Sequence, residues 1–312
     1  MKTPRELQAL YDQGHNITRL LRAERGLDHN TADIIEMAYD LQTGSYIQGM
    51  SDPKYADHKQ EYTAEVARTI LSLCEPDSVM EAGVGEGTTL AGVLRNLPAG
   101  IRAHGFDLSW SRAAFARRYL EKQKIRLATL CTGNLFAIPY ADSSIDVVYT
   151  SHTIEPNGGQ EKTLIQELYR VARRYLVLLE PGYELASPEA RRHMRSHGYC
   201  RGIKAAAQEL GYRILRHQLF PHTANPLNPT ALTIIEKNAD TEMPDEVLAC
   251  PRFKTPLEKL GGLYFSPEAL VVYPVVGGIP CLRIENGILA SKYREIEDGG
   301  TFTAGPRDGG LG

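Results

Sequence analysis

From Pro4 to Tyr62 apolar residues recur at helical spacing, in Leu7, Leu10, Ile17, Leu20 and Leu21 and again in Ile34, Ile35, Met37, Ala38 and Leu41. Intervals of three and four place them on one stripe per helix, so this stretch reads as amphipathic helices, with Thr31 and Asp33 marking a helix start. The rhythm then changes. Short apolar runs at 78–82, 103–106, 128–131, 145–150 and 175–179 alternate with amphipathic segments. Such runs suit strands covered on both faces, and their alternation with helices predicts an α/β fold built on a parallel sheet. After Pro181 comes a helical stretch rich in His and Arg. Two more β-like runs, 212–219 and 231–236, flank the Pro- and Asn-rich segment 221–229 and predict an antiparallel hairpin at the end of the sheet. Beyond Lys237 a polar linker leads to a compact β-rich unit, and the last residues are rich in glycine.

The pattern divides the 312 residues into an N-terminal helical lid or substrate segment (1–62), an α/β core (63–238), a small C-terminal domain (247–293) and a tail (298–312) expected to be disordered. With 42% hydrophobic and 23% charged residues, the chain is expected to bury a sizeable core without staples. No run approaches the roughly 18 apolar residues of a membrane span. The first residues also lack an apolar signal core, so the expected location is cytoplasmic, with no membrane partner. The five cysteines, Cys74, Cys131, Cys200, Cys250 and Cys281, are odd in number and form no C-x-x-C pair. Neither a disulfide framework nor a metal site is expected from them. Thirty-five Lys and Arg against 38 Asp and Glu leave no electrostatic footprint for DNA, which points to a small-molecule substrate.

The run at 78–82 enters Glu81-Ala82-Gly83-Val84-Gly85-Glu86-Gly87 and then a helix. Glycines there allow a sharp turn and close approach of the backbone to a ligand. Asp107 follows at the end of the next strand, where a carboxylate can accept both ribose hydroxyls of an adenosine-containing ligand. The leading acid and the G-x-G-x-G spacing resemble the first motif, E/D-x-G-x-G-x-G, of class I S-adenosylmethionine (SAM) methyltransferases. The run from Thr132 through Asn134, Leu135 and Pro139 to Asp146 and Val148 is similar to the segment that follows the third strand in that family. The resemblance implies a Rossmann-like sheet, SAM as methyl donor and S-adenosylhomocysteine as product. By position it implies that Gly83 and Gly85 with Glu81 hold the methionine part, Gly87 belongs to the same cofactor-binding turn, Asp107 holds the ribose and Leu108 the adenine face, while Asn134 and Leu135 read the adenine edge. Asp is commoner in the family at the Asn134 position; Asn still accepts through its carbonyl oxygen.

In an open α/β sheet the reaction lies beyond the carboxyl ends of the strands. The fourth strand ends in Ser151-His152-Thr153-Ile154-Glu155-Pro156, which makes His152 a candidate general base and Glu155 a structural group. The N/D-P-P-Y/F motif of enzymes that methylate amino groups of nucleobases and glutamine is absent. Segment 189–204 is locally basic. It reads either as an acceptor pocket for an anion, with Arg192, Arg195 and His197 binding and His193 as a second candidate base, or as a solvated helix face. Tyr46 and Tyr39 are expected to shield the cofactor and the substrate as part of the lid, and Asn225 and Asn228 to meet the same cleft from the hairpin.

Cys250-Pro251-Arg252-Phe253-Lys254-Thr255-Pro256-Leu257 and Tyr273-Pro274 through Gly278-Ile279-Pro280 resemble the Trm112-like small domain, whose pattern is C-P-x-C-K-x-P-L and Y-P-x-x-x-G-I-P. Phe253 stands where the second cysteine belongs, and a lone thiolate cannot form a tetrahedral zinc site, so a zinc-free fold is expected. The resemblance implies a partner fused in cis that covers an apolar surface or a homodimer interface; a substrate-reading module is the alternative. Together these readings give a SAM-dependent methyltransferase acting on oxygen of a small sugar-like or carboxylated metabolite. Two rivals stand beside it: an RNA or protein methyltransferase with a fused activator, and a non-catalytic SAM-binding scaffold or regulator.

Overall fold

A computed structural model describes residues 2–237, 239 and 241–297; the expected disordered tail, 298–312, lies outside them. Helices α1 (Pro4–Asp12), α2 (Ile17–Arg25) and α3 (Ala32–Leu41) close on a small core of Leu7, Ile17, Leu21 and Ile34. Short α4 (Ser45–Gly49) and long α5 (Pro53–Leu73) complete the N-terminal segment. The central unit runs β1 (Ser78–Ala82), α6 (Thr88–Arg95), β2 (Arg102–Asp107), α7 (Trp110–Lys122), β3 (Thr129–Thr132), β4 (Ile145–Ser151), α8 (Glu161–Val171), β5 (Ala172–Pro181), α9 (Pro188–His197), α10 (Ile203–Glu209), β6 (Arg213–Leu219) and β7 (Thr230–Glu236).

These seven strands form one sheet in the order β3-β2-β1-β4-β5-β7-β6, parallel except for β7, which runs antiparallel to both its neighbours. The expected α/β class and the antiparallel hairpin are therefore present. The strand order reverses between β1 and β4, and such a switch point opens a crevice at the carboxyl ends. β5 starts three residues earlier than its apolar run suggests, because Arg173 is accommodated by the buried Asp146, whose Oδ1 accepts from its Nε at 2.7 Å.

Alternation along the strands sorts their side chains to two faces. Val79, Val147, Tyr149 and Val177 pack against α5, α6 and α7, with Tyr62, Val66, Ile70, Leu90, Val93, Ala116 and Leu120. Met80, Val148, Leu176 and Leu178 pack on the other side, with Leu164, Ile165 and Leu168 of α8 and Ile203 and Ala207 of α10. Glu81, next to Met80, is thereby turned to the α5 face.

The C-terminal residues form β8 (Glu258–Leu260), β9 (Leu263–Ser266), β10 (Val271–Tyr273), β11 (Val275–Val276), β12 (Ile279–Pro280), β13 (Ile288–Leu289) and α11 (Tyr293–Glu297). Their strands make a four-stranded sheet, β13-β10-β9-β8, and a β11–β12 pair. This unit is joined to the edge of the large sheet. Leu282 N–H donates to Thr132 O at 3.2 Å, Ala249 N–H to Pro139 O at 3.0 Å and Ala141 N–H to Val247 O at 2.9 Å. Leu248, Cys250, Leu257, Tyr273 and Leu282 belong to the same apolar cluster as Met80, Phe106, Ile138 and Tyr140. Cys250 is a buried thiol 3.8 Å from the Tyr273 hydroxyl. Among the described residues no group of three or more His, Cys, Asp or Glu could hold a metal ion, and no helix is long and apolar enough to cross a membrane.

Candidate active site

A cavity of about 370 Å³ lies beyond the carboxyl ends of β1, β2 and β4, within the ~300–1,000 Å³ usual for small-molecule sites. Its floor is the glycine turn. Gly83, Gly85 and Gly87 have φ of 72°, 51° and 76°, a region that L side chains rarely adopt. Their roles differ. A Cβ on Gly83 would stand 2.1 Å from Thr153 Cγ2, so this glycine admits the turn after β4. A Cβ on Gly85 meets nothing closer than Arg112, at 3.8 Å, and the backbone there faces the cavity. Gly87, expected to touch the cofactor, instead packs against Ala116 and Leu120 of α7, both 3.3 Å from where its Cβ would be, and is not part of the cavity wall.

Asp107 ends β2 inside the cavity. Its Oδ2 accepts from Gly85 N–H at 2.8 Å and its Oδ1 from Ser109 N–H at 3.0 Å, which leaves a lone pair on each oxygen for a diol. Burial pushes this carboxyl up, against the pull of Arg112 and the backbone N–H groups. The Arg112 guanidinium lies over the rings of Tyr39 and Tyr46, 4.8 and 4.9 Å from their centres. Its Nε and Nη2 are buried and make no hydrogen bond.

At the β1 end, Tyr149 donates to Glu81 Oε2 at 3.2 Å, and Lys59 of α5 donates to Thr89 Oγ1 at 3.0 Å. Burial raises the Glu81 carboxyl and lowers the Lys59 ammonium, while each charge favours the other. A carboxylate and an ammonium beside an open glycine turn match the two ends of an amino-acid zwitterion. At the opposite end Leu108, Asn134, Leu135 and Phe136 line the wall with Ile35 and Glu36 of α3. Asn134 Oδ1 accepts from Phe136 N–H at 3.0 Å, which leaves its Nδ2 and a second lone pair for an adenine edge.

His152 follows β4 with φ 57°, a left-handed conformation uncommon for a residue with a side chain. Glu180, at the end of β5, holds this turn. Its carboxylate accepts from the N–H groups of Thr153, Ile154 and Glu155 at 3.0–3.1 Å. Burial pushes Glu180 up to about 7. His152 Nδ1 donates to Glu155, whose Oε2 also accepts from Asn228 Nδ2 at 2.9 Å. His152 Nε2 is 2.7 Å from the Thr230 hydroxyl. Burial pulls the imidazole down, but the Glu155 carboxylate outweighs it and the net shift is upward. Glu155, expected to be a structural group, accepts the Nδ1 proton and so fixes the tautomer of His152.

The cavity thus brings together Glu81, Gly83, Gly85, Asp107, Leu108, Asn134, Leu135, Tyr46, Tyr39, His152, Asn225 and Asn228. It does not include Arg192, His193, Arg195 or His197, which lie on α9 outside its wall. Arg195 donates to the Tyr183 hydroxyl at 2.8 Å, and the rings of His193 and His197 are 4.2 Å apart on their own helix face. Sequence reasoning missed Lys59, Glu86, Arg112, Tyr62 and Glu180. Lys59 carries no local mark that separates it from a solvated helix face, whereas Arg112 stands at the third position of α7, the helix that follows Asp107.

Residues 79–174 match a protein-family profile described as Methyltransferase domain. Among solved structures the chain is similar to a SAM-dependent methyltransferase from Aquifex aeolicus, at 16% identity and TM-score 0.46 over 62% of this chain and 97% of that one. It is also similar to magnesium protoporphyrin IX methyltransferase from Synechocystis PCC 6803 with bound SAH, at 16% and 0.45 over 58% and 84%. A third similar chain, at 15% and 0.48 over 63% and 96%, comes from the complex between the Haloferax volcanii Trm112 methyltransferase activator and the putative methyltransferase. The matched residues run from β1 to the start of β5 and include the glycine turn, Asp107 and Asn134.

Proposed function

We propose that the chain methylates a hydroxyl of a small, sugar-like acceptor. The observation that carries this reading is His152, oriented by Glu155 on one nitrogen and facing the Thr230 hydroxyl with the other, at the cavity wall beside the glycine turn. Bound SAM supplies a sulfonium methyl and departs as S-adenosylhomocysteine. Asp107 receives the ribose hydroxyls, Glu81 the amino group and Lys59 the carboxylate of the methionine end. His152 takes a proton at Nε2 from the Thr230 hydroxyl, which takes the acceptor's hydroxyl proton in turn, while Glu155 keeps the other ring proton, a step that needs geometry first and basicity second.

The acceptor end is lined by His58, Tyr62, Ser151, His222, Asn225 and Asn228. These groups suit a neutral polyhydroxylated molecule. The cations of the cavity wall, Lys59 and Arg112, stand on the cofactor side, and the arginines of α9 lie outside, so a sugar-like acceptor is favoured over a carboxylated one. The roof of Tyr39 and Tyr46 favours a small molecule over RNA or protein. The test is release of S-adenosylhomocysteine with a panel of neutral glycosides, uronic acids, RNA and protein extracts. Turnover of neutral glycosides that falls at least about tenfold in His152→Ala supports the reading. Turnover restricted to RNA, protein or uronic acids overturns it.

A further inference from the structure

Glu86 sits inside the glycine turn, between Gly85 and Gly87, and is 2% exposed. A carboxylate buried this far is costly unless its oxygens are satisfied. Its partners are three backbone N–H groups of the N-terminal segment. Gly44 donates at 3.0 Å and Tyr46 at 3.4 Å to Oε1, and Ile47 donates at 2.8 Å to Oε2. These are the opening N–H groups of α4, which has five residues and no side-chain cap of its own. A helix so short does not hold itself in water. Glu86 is therefore its cap, supplied from about 40 residues downstream.

The helix it holds carries Tyr46. That ring and the ring of Tyr39 both pack on the Arg112 guanidinium, in the cavity wall shared with Gly85 and Asp107. One buried carboxylate thus joins the turn that faces the cavity to the residues that roof it.

We propose that Glu86 is a positioning residue that latches residues 44–47 over the cofactor and acts through Tyr46 and Arg112. The proposal rests on the reading that the cavity takes SAM. If the turn and the lid are joined, a ligand that orders one must order the other, and loss of the joint must weaken the ligand.

The test uses the full chain and its Glu86→Gln, Tyr46→Ala and doubly substituted forms. It measures calorimetric binding of S-adenosylhomocysteine and amide hydrogen exchange. Glu86→Gln should exchange residues 44–47 at least about tenfold faster, with 78–82 unchanged. Its Kd should rise about tenfold, and the double variant should bind no more than about twofold worse than Tyr46→Ala, because the two side chains act in series. Wild-type exchange at 44–47 in Glu86→Gln, or fully additive losses of affinity, overturns the latch. Should Glu86→Gln also lose protection at 78–82, the wild-type chain decides: the ligand must slow exchange at 44–47, and no slowing overturns the proposal. A wild-type chain that binds no S-adenosylhomocysteine refutes the cofactor reading instead, and the exchange comparison still decides the latch.

Discussion

Arg283 of the C-terminal unit forms an ion pair with Glu36 of α3, and the same Nη1 lies 3.4 Å from the Leu108 carbonyl oxygen. Glu36 and Leu108 both line the end of the cavity proposed for adenine. The Arg283 side chain is 12% exposed and that of Glu36 34%, so the pair is partly screened and is worth about 1 kcal/mol. Through it the C-terminal unit props the wall of the cofactor site without entering the acceptor end. Arg283→Ala should therefore raise the Kd for S-adenosylhomocysteine about fivefold and leave the acceptor KM unchanged. Exchanging the charges, Arg283→Glu with Glu36→Arg, should recover part of the loss. An acceptor KM that rises while cofactor affinity stays constant would instead mark the unit as a substrate reader.

The His152–Glu155 pair makes a prediction about pH. A general base works as neutral imidazole, and the net shift of His152 is above its ordinary 6.5. Methyl transfer at saturating donor should fall as the pH drops through that raised value, so the acidic limb of the rate profile lies above 6.5. Glu155→Gln removes the carboxylate that outweighs burial, so the limb should move to lower pH while the plateau rate drops about tenfold or more. An acidic limb that does not move on this substitution excludes His152 as the titrating base.

The sheet was legible because five short, largely apolar runs alternate with helices, and the glycine turn because glycines and an acid at that spacing serve a backbone need. Gly87 was legible only in part: spacing marks it as part of the turn but is silent on whether its open face meets a ligand or Ala116 and Leu120. The basic run at 189–204 left two readings open. Charge density identifies a solvated face as readily as a pocket, and on α9 Arg191 donates to the carbonyls of Tyr183 and Glu184 and Arg195 to the Tyr183 hydroxyl. Glu86 and Glu180 were illegible because each works by capturing three N–H groups of a segment distant in sequence, a relation that only the tertiary fold creates.

Glu180 also predicts how stability varies with pH. Its carboxyl titrates near 4.5 when unfolded and near 7 in the folded chain. Between these values the unfolded chain has released a proton that the folded chain retains, so stability declines as the pH rises through this window and is level above it. The decline amounts to roughly 3 kcal/mol at most from this group. Urea denaturation of the wild-type chain and Glu180→Gln at several pH values between 4.5 and 8 isolates it: the variant should lack this slope. Parallel curves for the two proteins would show that Glu180 is already ionised in the folded state at low pH.

Gly83 and Gly85 separate the needs of the fold from those of the ligand. Both have positive φ, so alanine at either site incurs about 1 kcal/mol of backbone strain. At Gly83 the added Cβ would also lie 2.1 Å from Thr153 Cγ2, and Thr153 is anchored by its hydroxyl to Ala82 O at 2.9 Å and by its N–H to Glu180. Neither neighbour gives way without moving the His152 turn, so Gly83→Ala should cost about 3 kcal/mol or more in stability. At Gly85 the Cβ meets only the Arg112 guanidinium, at 3.8 Å. Gly85→Ala should therefore lose only about 1 kcal/mol of stability while its methyl group, standing in the cavity, weakens S-adenosylhomocysteine binding about tenfold or more. Denaturation midpoints and calorimetric Kd values on the same two variants test the contrast. Equal stability losses, or undiminished binding by Gly85→Ala, would place the ligand away from this turn.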